Sequence, residues 1–432
     1  MRLKILLINP WIYDFAAYNL WSRPLGLIQV GAYLGSYDTD LFLIDCTDAF
    51  EPGQFGKGKF RTETVDKPEV CKGVPRLYKR YGIAIDEFVS LVKGFMPFDV
   101  VLMTSIMSYW YPGVQTAIEL IRDIAGDVPV ILGGIYATLY HEHAADHSGA
   151  DFVYKGCLAS GFHFALHTFG FKLKRRRGPV ASHTVTFYKK NPFVPLVTAT
   201  GCPFTCSYCA SKVLSGTYQR RSPDDVVREI QEFHDSGVAD VAFYDDALLV
   251  DADHHIKPIL RGVLKAGQNI RFHTPNGLHA RFMDEELARL MKATGFKTIR
   301  LSLETVDEER QKATGGKVNT DDLVRAVMHL RQQGFTKRDI GVYVMYGLPG
   351  QKLKEVKEGI RFLKGLDVRI NLTEFSPIRG TQSWNELVES GIIYDDLDPL
   401  LTNNTVFSYL CSTYDPMDIG KLKLDVKRYN AE

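Results

Sequence analysis

Pro195-Leu196-Val197-Thr198-Ala199-Thr200 runs directly into Gly201-Cys202-Pro203-Phe204-Thr205-Cys206-Ser207-Tyr208-Cys209, so an apolar strand ends in a loop carrying three cysteines. The chain holds seven cysteines, at 46, 71, 157, 202, 206, 209 and 411. Three of them fall within eight consecutive residues, which makes a poor disulfide framework for a chain of 432 residues and a good metal or cluster pattern. Thiolates bind iron tightly, and closely spaced cysteines can wrap a single cluster. Three ligands for a four-iron cluster leave one iron open to another molecule. Zinc is an alternative, with Cys157, His163 or His183 as its fourth ligand, and inert core thiols are another.

Downstream of this loop, strand patterns at Val238–Asp245, Ile270–Thr274, Thr298–Leu303, Asp339–Tyr346 and Val368–Phe375 alternate with helical ones. The helices are read at Pro223–Ser236, Asp253–Ala266, Asp284–Thr294, Thr320–Gln333 and Lys352–Leu366. Six consecutive βα units predict a partial barrel over 193–380, with chemistry at the C-terminal strand ends. The cysteine loop follows the first of those strands. Upstream, strands are read at Leu3–Ile8, Leu41–Asp45, Asp99–Thr104, Val128–Leu132 and Asp151–Tyr154. Pro24 opens a helix, and helical patterns recur at Tyr111–Ala125 and Ala137–His147. The expectation is an α/β chain whose residues 1–170 form a doubly wound parallel sheet, Rossmann-like or flavodoxin-like. Residues 46–83 read as a long ordered loop or lid inserted in that domain. Residues 171–192, with Lys172, Lys174, Arg175, Arg176 and Arg177, read as a basic linker, and 381–432 as a short C-terminal region.

Lys+Arg of 52 against Asp+Glu of 51 leaves a formal charge of +1, which argues against nucleic acid or an anionic membrane as main partner. No apolar run reaches the roughly 18–20 residues of a membrane span. The opening Met1–Pro10 reads as a buried strand, not a signal peptide, so a cytoplasmic location is expected.

The Cys-x3-Cys-x2-Cys spacing, with Tyr208 before the last cysteine, resembles the radical S-adenosylmethionine superfamily. The resemblance implies that Cys202, Cys206 and Cys209 hold a [4Fe-4S] cluster, and that its open iron chelates S-adenosylmethionine. One electron then splits a carbon–sulfur bond and yields a 5′-deoxyadenosyl radical, which implies a low-potential donor such as a flavodoxin or ferredoxin. It places Tyr208 beside the cofactor, and Asp245 or Asp246 at the methionyl ammonium, although the family's Gly-Gly-Glu glycines are missing here. Ser302 and Glu304, two apart on one strand, correspond to ribose contacts. Tyr346 and Leu348, in Tyr346-Gly347-Leu348-Pro349-Gly350, correspond to the turn that passes the adenine, and Asn276 is a further contact. Without the resemblance, either aspartate could be a helix cap and Asn276-Gly277 a turn.

The first half resembles the cobalamin-binding domain of many such enzymes, through Arg23-Pro24-Leu25-Gly26-Leu27, Thr104–Ser108, Ile131–Thr138 and Asp151–Gly156. The implied corrin contacts are Asn9, Leu25, Gly26, Ser105, Ser108, Gly133, Gly134, Thr138 and Gly156. No Asp-x-His-x-x-Gly follows the first strand, which implies cobalamin without a histidine ligand to cobalt. Gly156-Cys157-Leu158-Ala159 stands where the family has Gly-Glu-Gly-Glu. Tyr109, Trp110 and Tyr111 could lie near a corrin or in the core. Together these features imply hydrogen abstraction and cobalamin-dependent methylation of an unactivated carbon, in a small-molecule or peptide substrate. The alternatives are a radical cyclase, rearrangement enzyme or oxidoreductase, and a corrinoid or iron–sulfur carrier that cleaves no cofactor. His141, His143 and His147 read as an exposed helix face, His254-His255 as a helix cap, and Cys411 as an inert thiol.

Overall fold

Leu3–Asn9 (β1) is an interior strand, apolar on both faces: Ile5, Leu6, Leu7 and Ile8 are all inaccessible to solvent. It pairs in parallel with Thr39–Asp45 (β2) on one side and Val100–Ser105 (β3) on the other. Val130–Gly133 (β4) and Phe152–Val153 (β5) complete a five-stranded parallel sheet of order β5-β4-β3-β1-β2. This is the 2-1-3-4-5 order of flavodoxin-like sheets, whose switch point lies between β1 and β3. Helices Leu25–Leu34 (α1), Ile85–Phe95 (α2) and Tyr111–Ala125 (α3) connect the strands. The structure, a computed structural model, describes residues 2–156, 162–176, 186–410 and 414–432. Cys157, Leu158, Ala159, Arg177, His183 and Cys411 lie outside the described residues. The chain divides into a unit of Met1–Asn191 with Leu397–Asn403 and a unit of Pro192–Asp396 with Asn404–Glu432.

Two expectations for the first unit need correction. Residues 46–83 are not merely a loop: Phe50–Pro52 pairs with Gly58–Phe60, and Thr62–Val65 pairs with Tyr78–Tyr81, both antiparallel. Ile12–Asp14 adds a third strand to the second of these sheets. Each strand has four residues or fewer, too short to show a period in a segment rich in Gly, Lys and Pro. Ala137–His147 is not one helix either. Tyr140, at φ −126° and ψ 51°, leaves the helical region and separates Gly134–Leu139 from His141–His147. Its ring is buried, so the break turns an aromatic into the core. His143 is half-buried, its Nδ1 2.7 Å from the Tyr136 hydroxyl, so this face is not simply solvated.

The second unit carries six parallel strands in sequential order: Val194–Leu196 (β6), Asp240–Phe243 (β7), Arg271–His273 (β8), Phe296–Glu304 (β9), Ile340–Tyr346 (β10) and Arg369–Glu374 (β11). The intervening helices include Pro223–Asp235 (α4), Ile256–Lys265 (α5), Glu285–Ala293 (α6), Thr320–Gln332 (α7) and Leu353–Gly365 (α8). Asp284 caps α6 by accepting from Leu287 N, and Asn319 caps α7 by accepting from Asp322 N. The edge strand β11 is partly covered by the C-terminal helix Pro416–Ala431 (α9), whose Asn430 bonds both Ile370 N and Ile370 O. Along β9, Ile299, Leu301 and Leu303 are buried apolar residues, whereas Arg300, Ser302 and Glu304 share the opposite face. Among the described residues no helix is long and apolar enough to cross a membrane.

The seat of α3 is tight enough to test. A Cβ at Gly113 would lie 2.1 Å from the Trp11 carbonyl oxygen, a backbone atom that cannot rotate away. Gly113→Ala should therefore cost about 1–3 kcal/mol, outweighing the gain in helix propensity of about 1 kcal/mol. Urea unfolding would read this as a lowered midpoint, and an unchanged midpoint would show that α3 is not seated on the Trp11 backbone.

Candidate active site

The cysteine loop leaves the barrel at a fixed point. Asp245, just beyond β7, accepts at Oδ1 from Thr198 N (2.9 Å), Thr198 Oγ1 (2.6 Å) and Ala199 N (2.6 Å). Thr198 Oγ1 spends its proton there, so it accepts from His255 Nε2 at 2.8 Å. Burial, with Arg220 nearby, pulls His255 down to about 4, so the ring is neutral and carries its proton on Nε2. His255 is thus a buried partner of Thr198 and makes no side-chain cap on α5, which corrects the expected cap. Asp245 Oδ2 is buried without a hydrogen-bond partner, and burial pushes the carboxyl up to about 6.

From Thr200 the chain turns through Gly201, at φ +74°, where a Cβ would lie 3.1 Å from Thr217 O. Cys202 and Cys206 are half-buried and Cys209 is exposed. Cys209 N donates to Cys206 O at 3.1 Å, which closes the second half of the loop. Gly315, at φ +112°, supports it from below: a Cβ there would stand 2.9 Å from Cys206 Cα. Ser383, in the helix Gln382–Glu389, donates its N–H to Ser207 O at 2.8 Å. Phe204 stacks on His279 at 4.8 Å between ring centroids. Burial raises the Cys202 thiol and pushes Cys206 up to about 11, while Lys317 acts against the shift at both.

The three thiols lie close enough to influence one another's ionisation, on a loop held by glycine seats with no space for a side chain. Among the described residues no three His, Cys, Asp or Glu side chains converge as ligands of one ion. Sulfur donors on a loop with an exposed third thiol fit a polynuclear iron–sulfur cluster. Of zinc's expected fourth ligands, His163 Nε2 bonds the hydroxyls of Tyr33 and Tyr37.

On the lumen side, Glu304 ends β9 at φ +67°, a left-handed conformation that costs a non-glycine residue energy. Its carboxylate pairs with Lys317 Nζ at 2.8 Å and accepts from the Tyr208 hydroxyl. Burial opposes charge on Lys317, but Glu304 and the thiols outweigh it and raise the ammonium above its ordinary range. Lys317 Nζ also lies 3.4 Å from Ser302 Oγ, and a Cβ at Gly277 would come within 2.1 Å of that oxygen. Tyr208, Ser302, Glu304 and Lys317 thus form one polar group around Cys206. Lys317 escaped the sequence reading; Gly315-Gly316-Lys317 was its only signal, a glycine pair in a loop.

The two aspartates diverge. Asp245 turns into the protein, whereas Asp246 is half-buried, bonds Ser211 and contributes to the field at Cys202. Asn276 ties two strand ends together through Tyr244 O at 3.0 Å and Asp245 O at 3.3 Å. Tyr346 is buried with its hydroxyl on Glu374, and Leu348 is buried in the adjoining turn. Two grooves, of about 420 and 370 Å3, flank α9 and share no residue with the cysteine loop.

In the first unit, a polar network ties the end of β1 to the end of β2. Asn9 Nδ2 donates to Asp45 Oδ1 at 2.7 Å, Tyr188 donates to Asp45 Oδ2 at 2.8 Å, and Arg23 lies over the Tyr188 ring at 3.6 Å. Ser105 Oγ donates to Met107 O, Ser108 is buried, and Thr138 Oγ1 donates to Gly134 O. Gly134, at φ +91°, packs against β3 so closely that a Cβ would meet Thr104 Oγ1 at 2.5 Å. Gly26 and Gly133 differ: a Cβ on either would meet nothing within 4 Å, so their backbone is open to a large planar ligand. Leu25 is half-buried and Gly156 exposed.

The unpartnered Asp245 oxygen gives a pH signature. Its folded pKa of about 6 exceeds the ordinary 3.8, so the folded state holds this proton more tightly and stability falls as pH rises between those values. The loss is on the order of 3 kcal/mol. Asp245→Asn keeps an acceptor for Thr198 and Ala199 and should lack this component. Melting curves of the metal-free protein at pH 4.5 and 7.5 should show a smaller pH dependence in the variant; equal dependence in both proteins would refute the assignment.

Comparison with known proteins agrees with this geometry. Residues 196–363 match the family model described as the radical SAM superfamily. An uncharacterised methyltransferase of Pyrococcus horikoshii is 24% identical over 220 residues, covering 49% of this chain and 47% of that protein. The cytidylyl-2-hydroxyethylphosphonate methyltransferase of Streptomyces wedmorensis is 22% identical over 462 aligned positions, covering 90% of this chain and 82% of that protein. The fold matches that of TsrM, a radical S-adenosylmethionine methyltransferase from Kitasatospora setae solved with tryptophan substrate and a SAM analog, with a TM-score of 0.66. That match has 16% identity and covers 90% of this chain and 76% of that one. The stretch that follows β6 and carries the three-cysteine loop, up to residue 363, is thus similar to the radical S-adenosylmethionine superfamily, and the fold of the chain is similar to that of TsrM.

Proposed function

We propose that this chain is a cobalamin-dependent radical S-adenosylmethionine methyltransferase acting on an unactivated carbon of a small molecule. The observation that carries the reading is the three-thiol loop at the C-terminal strand ends of the partial barrel, in a chain that also carries a 2-1-3-4-5 sheet. When bound, the cluster and S-adenosylmethionine supply a 5′-deoxyadenosyl radical, and cobalamin supplies the methyl group. Cys202, Cys206 and Cys209 would bind the cluster. Asp246, whose side chain bonds Ser211, is the carboxylate that would receive an ammonium, because Asp245 is spent on the loop backbone. Ser302 and Glu304 offer a donor–acceptor pair for ribose hydroxyls, with Lys317 balancing the carboxylate. Leu25, Gly26, Gly133, Thr138 and Gly156 are the residues that would meet a corrin, while Asn9, Ser105, Ser108 and Gly134 shape the sheet beneath it.

The relatives support this reading by their names, which describe methyltransferases acting on small molecules. A flavodoxin or ferredoxin would supply the electron, and the reducing cytoplasm is the compartment that suits a thiolate-bound cluster.

The decisive assay uses anaerobically reconstituted protein, reduced with S-adenosylmethionine and hydroxocobalamin present. We expect 5′-deoxyadenosine, about one corrin per chain, and at least a 100-fold loss of deoxyadenosine in Cys206→Ala. Deoxyadenosine without bound corrin would replace methyl transfer by another radical reaction. A fully loaded cluster with no deoxyadenosine would overturn the enzymatic reading.

A further inference from the structure

Arg300 stands on β9 two residues before Ser302 and shares its face. Strand rise places it roughly 7 Å from Ser302 and roughly 13 Å from Glu304 along the barrel. Its guanidinium lies across Gly341 of β10, where a Cβ would come within 2.8 Å of Nη1 and 3.1 Å of Cζ. A bare backbone at 341 is therefore what admits the group. Beside it are Tyr343, whose hydroxyl donates to Pro275 O at 2.6 Å, and Asn371, the register partner of Tyr343. Arg369, paired in register with Gly341, brings a second cation to the same place.

What is missing is an anion. Three other cations of this unit have one: Lys317 pairs with Glu304, Arg310 with Glu355, and Arg281 with Asp322. Among the described residues Arg300 has no carboxylate partner, and its hydrogen bond is a 3.2 Å contact from Nη1 to its neighbour's carbonyl, Ile299 O. Guanidinium stays charged when buried, and a partly desolvated cation beside another cation is costly unless something negative completes it. Burial lowers the pKa of Arg300; Tyr343 acts against that shift and Arg369 adds to it, with a net lowering.

We propose that the barrel interior binds an anionic group of the substrate, a phosphoryl or a carboxylate oxygen pair, on Arg300 with Arg369 behind it. This rests on the barrel rim being the reaction site. The fork of Arg300 matches either anion in a bidentate fashion. An anion held there would leave the rest of the molecule extending toward Ser302 and Glu304, so the reacting carbon lies roughly 7–13 Å from the charge.

Calorimetric titration of the whole chain with phenylphosphonate, benzoate and uncharged benzyl alcohol tests this without turnover. One of the two anions should bind better than the alcohol, and which one does assigns phosphoryl or carboxylate. Arg300→Gln should weaken that binding about 10- to 100-fold. Gly341→Ala, which keeps the charge but displaces the guanidinium, should weaken it in the same direction and serves if the first variant does not fold. Lys421→Gln, in the groove between α8 and α9, should leave it unchanged. No preference for either anion, binding that survives both lumen variants, or binding that follows Lys421 would each overturn the inference. Deoxyadenosine formation by the wild type is read separately, so failure of the proposed reaction and failure of the anion site are told apart.

Discussion

Everything at the rim depends on one carboxylate. Asp245 gathers two backbone N–H groups and a hydroxyl from Thr198 and Ala199, which fixes where β6 stops and the cysteine loop begins. Hydrogen bonds to a charged acceptor contribute about 1.5–3 kcal/mol each, which offsets part of the cost of burying the carboxylate, and the remainder shows in its raised pKa. Downstream of that anchor the loop is pinned at Ser207, Cys206 and Phe204 by separate elements of the same unit. A loop tied to rigid neighbours at so many points can hold ligands to the tolerance that metal chemistry requires.

The electrostatics follow from the same geometry. Burying thiols raises their pKa values, which opposes metal loading because the ligand is the thiolate. Lys317 offsets that cost, and Glu304 in turn keeps Lys317 charged. The left-handed backbone of Glu304 is the geometric cost of turning its carboxylate toward Lys317 and Tyr208.

The barrel was legible because apolar runs alternate regularly with helical periods: Thr298–Leu303 was read where β9 spans Phe296–Glu304. The cysteine loop was legible because its spacing is local. Lys317 was not, since it meets Cys206 only through the folding of distant segments. Asp245 and Asp246 are neighbours of one residue type, and only the direction each side chain takes separates an anchor from a candidate ligand-binding group. His255 read as a helix start because a buried histidine next to a helix looks the same in one dimension as a capping one. The short strands within 46–83 were hidden for the opposite reason, being too brief to repeat any pattern.

The two units also differ in how a ligand can be held. At the cysteine loop a few strong bonds decide the outcome, so deleting one thiol should abolish function. In the flavodoxin-like unit the polar ends of β1 and β2 bond one another, and Gly26 and Gly133 present bare backbone. A large planar ligand docking there would be held by shape and by many weak contacts, with affinity spread over the surface and no single side chain dominant. The absence of a motif histidine after β1 is consistent with that mode of binding, because a ligand held by its periphery needs no axial bond from the protein. The same reasoning explains why small residues, and not chemically distinctive ones, mark this domain in the sequence.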